Sequence, residues 1–415
     1  MSLLLNTSLV VTPTVYNAGT LFGIVPTDPS SNNADFSVTR ATTKTRTNSA
    51  GLIETIAINV PSIDYSLGGC PSILAEPQRT NLFTRSEEFD ITWSQIQGSV
   101  TASATTSPSG SMDADRFTGN GTSNNHRLVQ TVTITSASTY TVSCYVKKDT
   151  NNFFQLYYLS GEFGSFAFAN FDVNNGVLGT TGSAAKATIT GSGDGWYRCS
   201  ITATATNSGS SGINFTLISS SAALRAETNT LSTSVFLWGA QAEVGAYATS
   251  YIPTTSATVT RNADAITRNN VYTNNLITDA GGTWFVDLRN NIPYTTRDAS
   301  TAGLFLSTST GGFGNSFTFE GRIANQRVVI RKYIGGSGTN LYTTTSNTAK
   351  IAIKWNGTTA DIFENGVKVV SETDFSFTNT NNLNCTPNDV PRSINSMALF
   401  PTPLTDDQCI ALTTL

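Results

Sequence analysis

Charge is scarce in this chain. Only 13% of its residues are Asp, Glu, Lys or Arg, against the ~25% of an ordinary globular domain. Twenty-four basic residues face 28 acidic ones, for a net charge of -4, and neither sign forms a long run. A nucleic-acid binder needs a basic face to displace phosphate counterions, so that partner class is excluded. Histidine occurs once, as His126. Any Ser-His-Asp triad would have to use it, no GxSxG-like elbow accompanies it, and an ordinary turn residue is expected there. The five cysteines, Cys70, Cys144, Cys199, Cys385 and Cys409, are far apart, odd in number and without a CxxC. That argues against zinc and against a disulfide framework. Free thiols of a chain folded in a reducing cytoplasm are expected, with Cys144 and Cys199 the pair that could share neighbouring strands. No stretch approaches the ~20 apolar residues of a membrane helix. The opening Met1-Ser2-Leu3-Leu4-Leu5 mimics a signal sequence but lacks a basic region and runs into Asn6, Thr7 and Ser8. The expectation is a soluble protein with no membrane insertion.

In place of charge stand Ser, Thr, Asn and Gly. Apolar residues make up 39% and aromatics 10%, enough to fill real cores. Thr and aromatics suit a pleated surface, and Asn and Gly suit left-handed turn positions. The expected fold class is all-β: an irregular N-terminal adaptor, then two β-sandwich domains of jelly-roll and lectin-like type, and one short C-terminal helix.

Residues 1–88 carry scattered strand signals punctuated by Pro13, Pro26, Pro29, Pro61, Pro71 and Pro77. Proline is confined to sheet edges and turns, so this part is expected to be an extended adaptor, ordered by packing on something else. Residues 89–262 read as one sandwich, with strand patterns at Leu128–Ile134, Tyr140–Val146, Phe153–Leu159 and Trp196–Thr202, and a hairpin turn at Asn174-Asn175-Gly176. Residues 268–415 read as a second sandwich. There, two hairpins in series are marked by Asn356-Gly357 and Asn365-Gly366. At the end, Thr405 and Gln408 form a capping box, with Leu404 and Cys409 as its hydrophobic staple.

Three stretches carry a family resemblance. Pro71 to Leu82 contains Glu76-Pro77-Gln78-Arg79-Thr80-Asn81-Leu82, similar to the "EPQRTNL" segment of tailed-bacteriophage head-spike, head-fibre and tail-fibre proteins. Ser86-Glu87-Glu88-Phe89 and Trp93 follow it, as that family's next stretch does. Upstream, Phe36 to Ala41 and Asn48 to Glu54 resemble its leader. Trp238-Gly239-Ala240-Gln241-Ala242-Glu243 and Ser250 to Thr254, then Val259-Thr260-Arg261, resemble the close of its carbohydrate-binding-module-like domain. Lys354-Trp355-Asn356-Gly357, Asn365-Gly366 and Leu404-Thr405-Asp406-Asp407 resemble laminin-G and concanavalin-like lectin domains more loosely. The resemblance implies a structural virion protein, head fibre or tail fibre, assembled in the host cytoplasm. It implies a homotrimer attached to a capsid or tail protein through its N-terminal region, and it transfers no catalytic residue.

Within that frame, Leu3, Leu4, Leu5, Leu9 and Val10 are the candidate attachment residues. Sugars present flat apolar faces ringed by hydroxyls, so a cell-surface glycan site needs aromatics beside amides or carboxylates. Strand alternation puts Phe153, Gln155 and Tyr157 on one face, and Phe154, Leu156 and Tyr158 on the core side. Phe153, Gln155 and Tyr157, with Glu162 in the next loop, are the candidate glycan contacts. Glu87 and Glu88 are the adjacent acids a glycan depolymerase would invite, though a solvated turn explains them. Trp93, Trp196, Trp238, Trp284 and Trp355 are expected in cores or interfaces. No cofactor is expected; a lone structural calcium ion on the lectin-like domain stays open. The alternatives carried alongside are a tail-fibre receptor-binding protein, a glycan depolymerase and a bacterial surface adhesin.

Overall fold

The computed structural model describes residues 6–13, 15–25, 28, 31–32, 35–278, 280–289, 301–307, 315–322, 327–346, 348–374, 381–385 and 392–414. It is built of antiparallel strands with two short helices, Ser160–Phe163 and Asp406–Thr414. The all-β expectation holds. No helix among the described residues is long and apolar enough to cross a membrane.

The chain divides into two compact units, and each is discontinuous in sequence. One comprises Lys44–Thr55 and Arg79–Arg261. It holds two six-stranded sheets. The first runs Ser94–Ile96, His126–Ile134, Gly209–Leu217, Phe153–Tyr158, Phe168–Asp172, Val177–Thr181; the second runs Gly98–Thr105, Ala114–Gly119, Ser234–Val244, Thr139–Lys148, Trp196–Thr204, Lys186–Gly191. Alternate residues of both sheets interleave in one core. Phe154, Leu156 and Tyr158 from the first meet Val142, Cys144, Val146 and Ile201 from the second. This is the period-2 alternation expected of Phe153–Leu159. Phe83, Phe89 and Trp93 close one end of the core against Phe215, with ring centroids 5.0 to 6.2 Å apart. On the second sheet's outer side, Tyr145, Trp196, Phe236 and Trp238 form a separate cluster with Ile53 and Tyr251.

The other unit comprises Met1–Thr43, Ile56–Gln78 and Asn262–Leu415. Its eight-stranded sheet runs Val367–Glu372, Thr359–Glu364, Thr348–Asn356, Gly281–Arg289, Arg392–Phe400, Ser72–Ala75, Ile63–Asp64, with Leu9–Val11 also on Arg392–Phe400. Its nine-stranded sheet runs Tyr16–Asn17, Thr20–Leu21, Phe36–Thr39, Ala265–Asn269, Asn382–Cys385, Thr301–Ser307, Ser316–Arg322, Arg327–Ile334, Ser337–Thr343. Trp284, Trp355, Phe317 and Phe319 lie in their shared core. The expected meander is present: Asn365 and Gly366 both have positive φ, at 47° and 84°, as a type I′ turn requires. The preceding turn falls one residue later than the Asn-Gly signal. Asn356 is paired with Thr359, and Gly357 (φ 59°) and Thr358 make the bend. The C-terminal helix has its capping box, Thr405 N–H to Gln408 Oε1 at 2.9 Å and Gln408 N–H to Thr405 Oγ1 at 3.2 Å. Leu404 and Cys409 pack together on Phe285, Phe363 and Phe400.

The expected adaptor at residues 1–88 is not a separate body. Residues 1–43 and 56–78 complete the unit of residues 262–415, and 44–55 and 79–88 belong to the middle sandwich. The cause is the shortness of these strands. Two to four residues cannot bury an apolar side by themselves, so each borrows a distant partner: Leu9 opposite Leu399, Val38 opposite Ile266, Ile73 opposite Ile394. A buried ion pair fixes the arrangement. Arg40 Nη1 lies 2.7 Å from Asp264 Oδ1, and its guanidinium also donates to the carbonyls of Thr42, Ala57 and Val60. Asp264 Oδ2 accepts the Glu76 N–H at 2.8 Å.

Candidate functional site

Parts of two stretches that carry the phage resemblance, residues 79–87 and 238–261, interlock in the middle unit. Asn81 is fully buried; its amide donates to Ala240 O at 3.0 Å and Ile252 O at 2.8 Å, and its oxygen accepts from Ala242 N at 3.1 Å. Gln241 accepts from Ile252 N at 2.7 Å and donates to Glu243, whose carboxylate takes the Thr249 N–H and hydroxyl. Tyr251 donates to Glu87 at 2.9 Å and lies 2.6 Å from the Ser86 hydroxyl. The strand Arg79–Asn81 pairs with Val259–Arg261. These side chains join the sandwich's entering and leaving strands and satisfy buried backbone groups. They form a structural clasp, and burial raises the Glu87 carboxyl and the Tyr251 phenol above their ordinary values.

The outer face of the first sheet is where glycan contacts are expected, and the structure rearranges that expectation. The connection at residues 218–233, between Gly209–Leu217 and Ser234–Val244, lies as a strap across this face. The sheet's own amides hold it down. Thr180 N–H bonds Ser221 O at 2.8 Å. Asn170 Nδ2 donates to Ser221 O and Ala223 O, at 3.1 and 2.7 Å. Gln155 donates to Leu224 O at 3.0 Å and accepts the Ala226 N–H at 2.8 Å. Asn125 Nδ2 reaches Glu227 O at 3.2 Å, and Asn124 and Asn229 exchange two backbone bonds at 2.9 Å. Ala226 is held at φ 54°, a costly conformation for a residue with a Cβ.

Gln155 and Tyr157 are therefore buried, at 0% and 2% exposure. Neither is open to a sugar, because the strap consumes the amide and covers the ring. Phe153 is half-buried and sits opposite Asp172, in the next row of the face. Glu162 belongs elsewhere: its carboxylate abuts Gly209, while Tyr157 pairs with Asn214, about 16 Å further along that strand at ~3.3 Å per residue. The four residues do not form one site.

A different cluster surrounds Tyr157. The Arg225 guanidinium stacks over its ring at 4.7 Å. The Tyr157 hydroxyl and Arg127 Nη1 converge on Asn125 Oδ1, at 3.2 and 2.7 Å. Burial raises the Tyr157 phenol, and the two guanidiniums oppose that shift. Burial draws Arg225 down, with Tyr157 opposing. Arg40, Arg46, Arg79, Arg85 and Arg116 each have a carboxylate partner. No ion pair joins Arg127 or Arg225 to a carboxylate among the described residues; Arg198, which donates to Thr249 O and Ser143 Oγ, shares that feature. The Arg127 and Arg225 side chains are half-buried. Phe166, 62% exposed, is the one exposed aromatic ring among the described residues. It stands in the turn leading to Phe168–Asp172, beside Tyr158, whose N–H bonds Ala167 O at 3.1 Å. The available signal in the sequence was the length of the 218–233 connection, since structureless loops beyond ~12–15 residues usually have a function.

The other candidates have structural roles. His126 is not in a turn. It begins a strand, is fully buried, and its ring nitrogens face Gln97 O and Asn229 O. Glu88 pairs with Arg85 at 2.8 Å while Glu87 faces Tyr251, so the adjacent acids take separate partners. No group of three or more His, Cys, Asp or Glu among the described residues could hold a metal ion. Cys144 and Cys199 are directly opposed across a strand pair, both buried and both free. All five tryptophans are buried. Leu9 and Val10 form a strand against Arg392–Phe400, with Leu9 fully buried. Leu9 is thereby removed from any docking surface, while Val10, half-buried, packs beside Phe285 and Ala398. Leu3, Leu4 and Leu5 lie outside the described residues.

No protein-family model matches the chain, and no curated protein does. Among solved structures it is similar to the CBM40 of a Ruminococcus gnavus IT-sialidase bound to α2,3-sialyllactose, at 18% identity, 32% of this chain, 83% of that chain and TM-score 0.25. It is similar to the binding domain of Paraclostridial Mosquitocidal Protein 1, at 14% identity, 36% of this chain, 43% of that chain and TM-score 0.26. It is also similar to a mutant of the GH43 protein BlXynB of Bacillus licheniformis, at 9% identity, 74% of this chain, 75% of that chain and TM-score 0.24. Likenesses at these scores bear on neither ligand nor reaction.

Proposed function

We propose that this protein is a non-enzymatic structural subunit of a tailed-phage virion, a head fibre or spike, that adheres to glycans through its middle sandwich. The adhesion reading rests on one observation. The strapped face leaves two half-buried arginines without carboxylate partners beside a buried tyrosine, and Phe166 stands exposed on the neighbouring turn. An exposed ring can stack on a sugar's apolar face while polar donors take its hydroxyls. The virion address rests on the sequence resemblance alone, whose residues double as a buried clasp in the middle unit.

Homotrimeric assembly on a capsid or tail protein belongs to this reading. Weak contacts would then be multiplied by copy number, since linked sites raise avidity without new contacts. The test is a glycan array probed with the full chain and with Phe166→Ala. Selective binding that falls at least tenfold in the variant supports the reading. Uniform silence of the array, or binding indifferent to Phe166, overturns it. Cryo-electron microscopy of the particle fixes the address and the copy number.

A further inference from the structure

We infer that the ligand recognised beside the strap is a carboxylated polysaccharide, held by Arg127 and Arg225. This rests on the glycan-binding reading above and names the chemical class of its ligand. Each observation bears on charge. Arg225 covers the Tyr157 ring, Arg127 shares the Asn125 Oδ1 acceptor with its hydroxyl, and neither guanidinium has an ion pair to a carboxylate among the described residues. The Nε atom of each is buried, so the terminal Nη donors are the ones a ligand can reach. Their remaining bonds, Arg127 Nη1 to Asn125 Oδ1 and Arg225 Nη2 to Tyr158 O at 2.8 Å, orient the forks but leave donors free.

Placing two like charges together without a counter-ion is unfavourable. A planar carboxylate supplies the missing negative charge on oxygens that accept from the terminal Nη–H donors. The nearest acid of the strap is unavailable, because Glu227 is engaged by Ser219 and Asn229. The chain as a whole is acidic, with net charge -4. A polyanion is therefore not drawn in by the overall field and must be selected by this local pair. Arg127 enters from the strand His126–Ile134 and Arg225 from the strap, so binding a carboxylate between them also ties the strap to the sheet.

Isothermal titration of the full chain decides this. The probes are polygalacturonate, its methyl ester, dextran sulfate and neutral dextran. Polygalacturonate is expected to bind at least tenfold more tightly than its methyl ester, which has the same sugar backbone without the charge. Arg127→Gln and Arg225→Gln should each weaken it at least tenfold. Arg225→Lys should recover only part of the loss, because it restores charge without the fork. Lys186→Gln, an exposed cation on the other sheet, should change nothing.

Equal affinity for the acid and its ester, measured on the unsubstituted chain, overturns the inference however the variants fold. Preference for dextran sulfate over polygalacturonate overturns the planar-carboxylate assignment. Neutral dextran binding as well as polygalacturonate would leave glycan adhesion standing and remove this inference. No binding to any of the four removes it too, and the glycan array then decides adhesion separately.

Discussion

Replacing Asp264 by Ala tests whether the N-terminal segments are part of the fold they border. Arg40 and Asp264 have side-chain exposures of 0% and 2%. Removing the carboxylate leaves the guanidinium buried with three carbonyl partners and no counter-charge, and leaves the Glu76 N–H without its acceptor. Breaking one side of a buried pair costs about 3–5 kcal/mol. For a unit of roughly 200 residues, that lowers Tm by about 6–20 °C. Amides that exchange by global opening should speed up roughly 10²- to 4 × 10³-fold, at ~1.4 kcal/mol per factor of ten. Hydrogen exchange read by mass spectrometry resolves the two units. Peptides covering 36–39, 265–269 and 351–355 should exchange faster, while 142–146 and 199–203 should not. The paired change Arg40→Met with Asp264→Leu should cost less than Asp264→Ala alone, because no charge is then stranded. Unaltered protection in 36–39 and 265–269 would refute the reasoning and return residues 1–43 to the status of a loose adaptor.

Gln155→Ala removes the strap's central anchor, which bonds Leu224 O, Asn170 Oδ1 and Ala226 N–H; a local cost of about 1–3 kcal/mol and faster exchange at 221–227 are expected, and an unchanged strap would contradict its anchoring role. Asp115 is raised from 3.8 to about 6 by burial, against bonds from the Phe89 and Ser103 N–H groups. The folded state therefore holds that proton more tightly than the unfolded chain. Its contribution is full below pH 3.8 and is lost as pH rises through about 6. Asp115→Asn should flatten the denaturant midpoint over that window, and an identical slope in the variant would dismiss the assignment. Cys70 is the one exposed thiol, while burial raises Cys144, Cys199 and Cys409, the last to about 12. Thiol titration of the folded chain should find one fast group and, in denaturant, all five.

Patterns of short range were legible in the sequence. Alternation assigned Phe154, Leu156 and Tyr158 to the core, Asn365-Gly366 marked its hairpin, and Thr405 with Gln408 capped the last helix. Each depends on residues within one strand, one turn or one helical turn, and their stereochemistry is the same wherever the segment packs. The scarcity of charge and the plenty of Thr, Asn and aromatics determined the all-β class for the same reason.

Pairings between distant segments were decided only by tertiary structure. Residues 1–88 read as an adaptor because their strands are too short to show a partner, yet Leu9 meets Leu399 and Ile73 meets Ile394. The face holding Gln155 and Tyr157 has the composition of a sugar site, and nothing local says that residues 218–233 return to occupy it. An amide presented for a glycan hydroxyl and one presented for a backbone carbonyl are the same residue in sequence. Which of the two it serves depends on what the fold places 3 Å away, and for Gln155 that is Leu224 of its own chain.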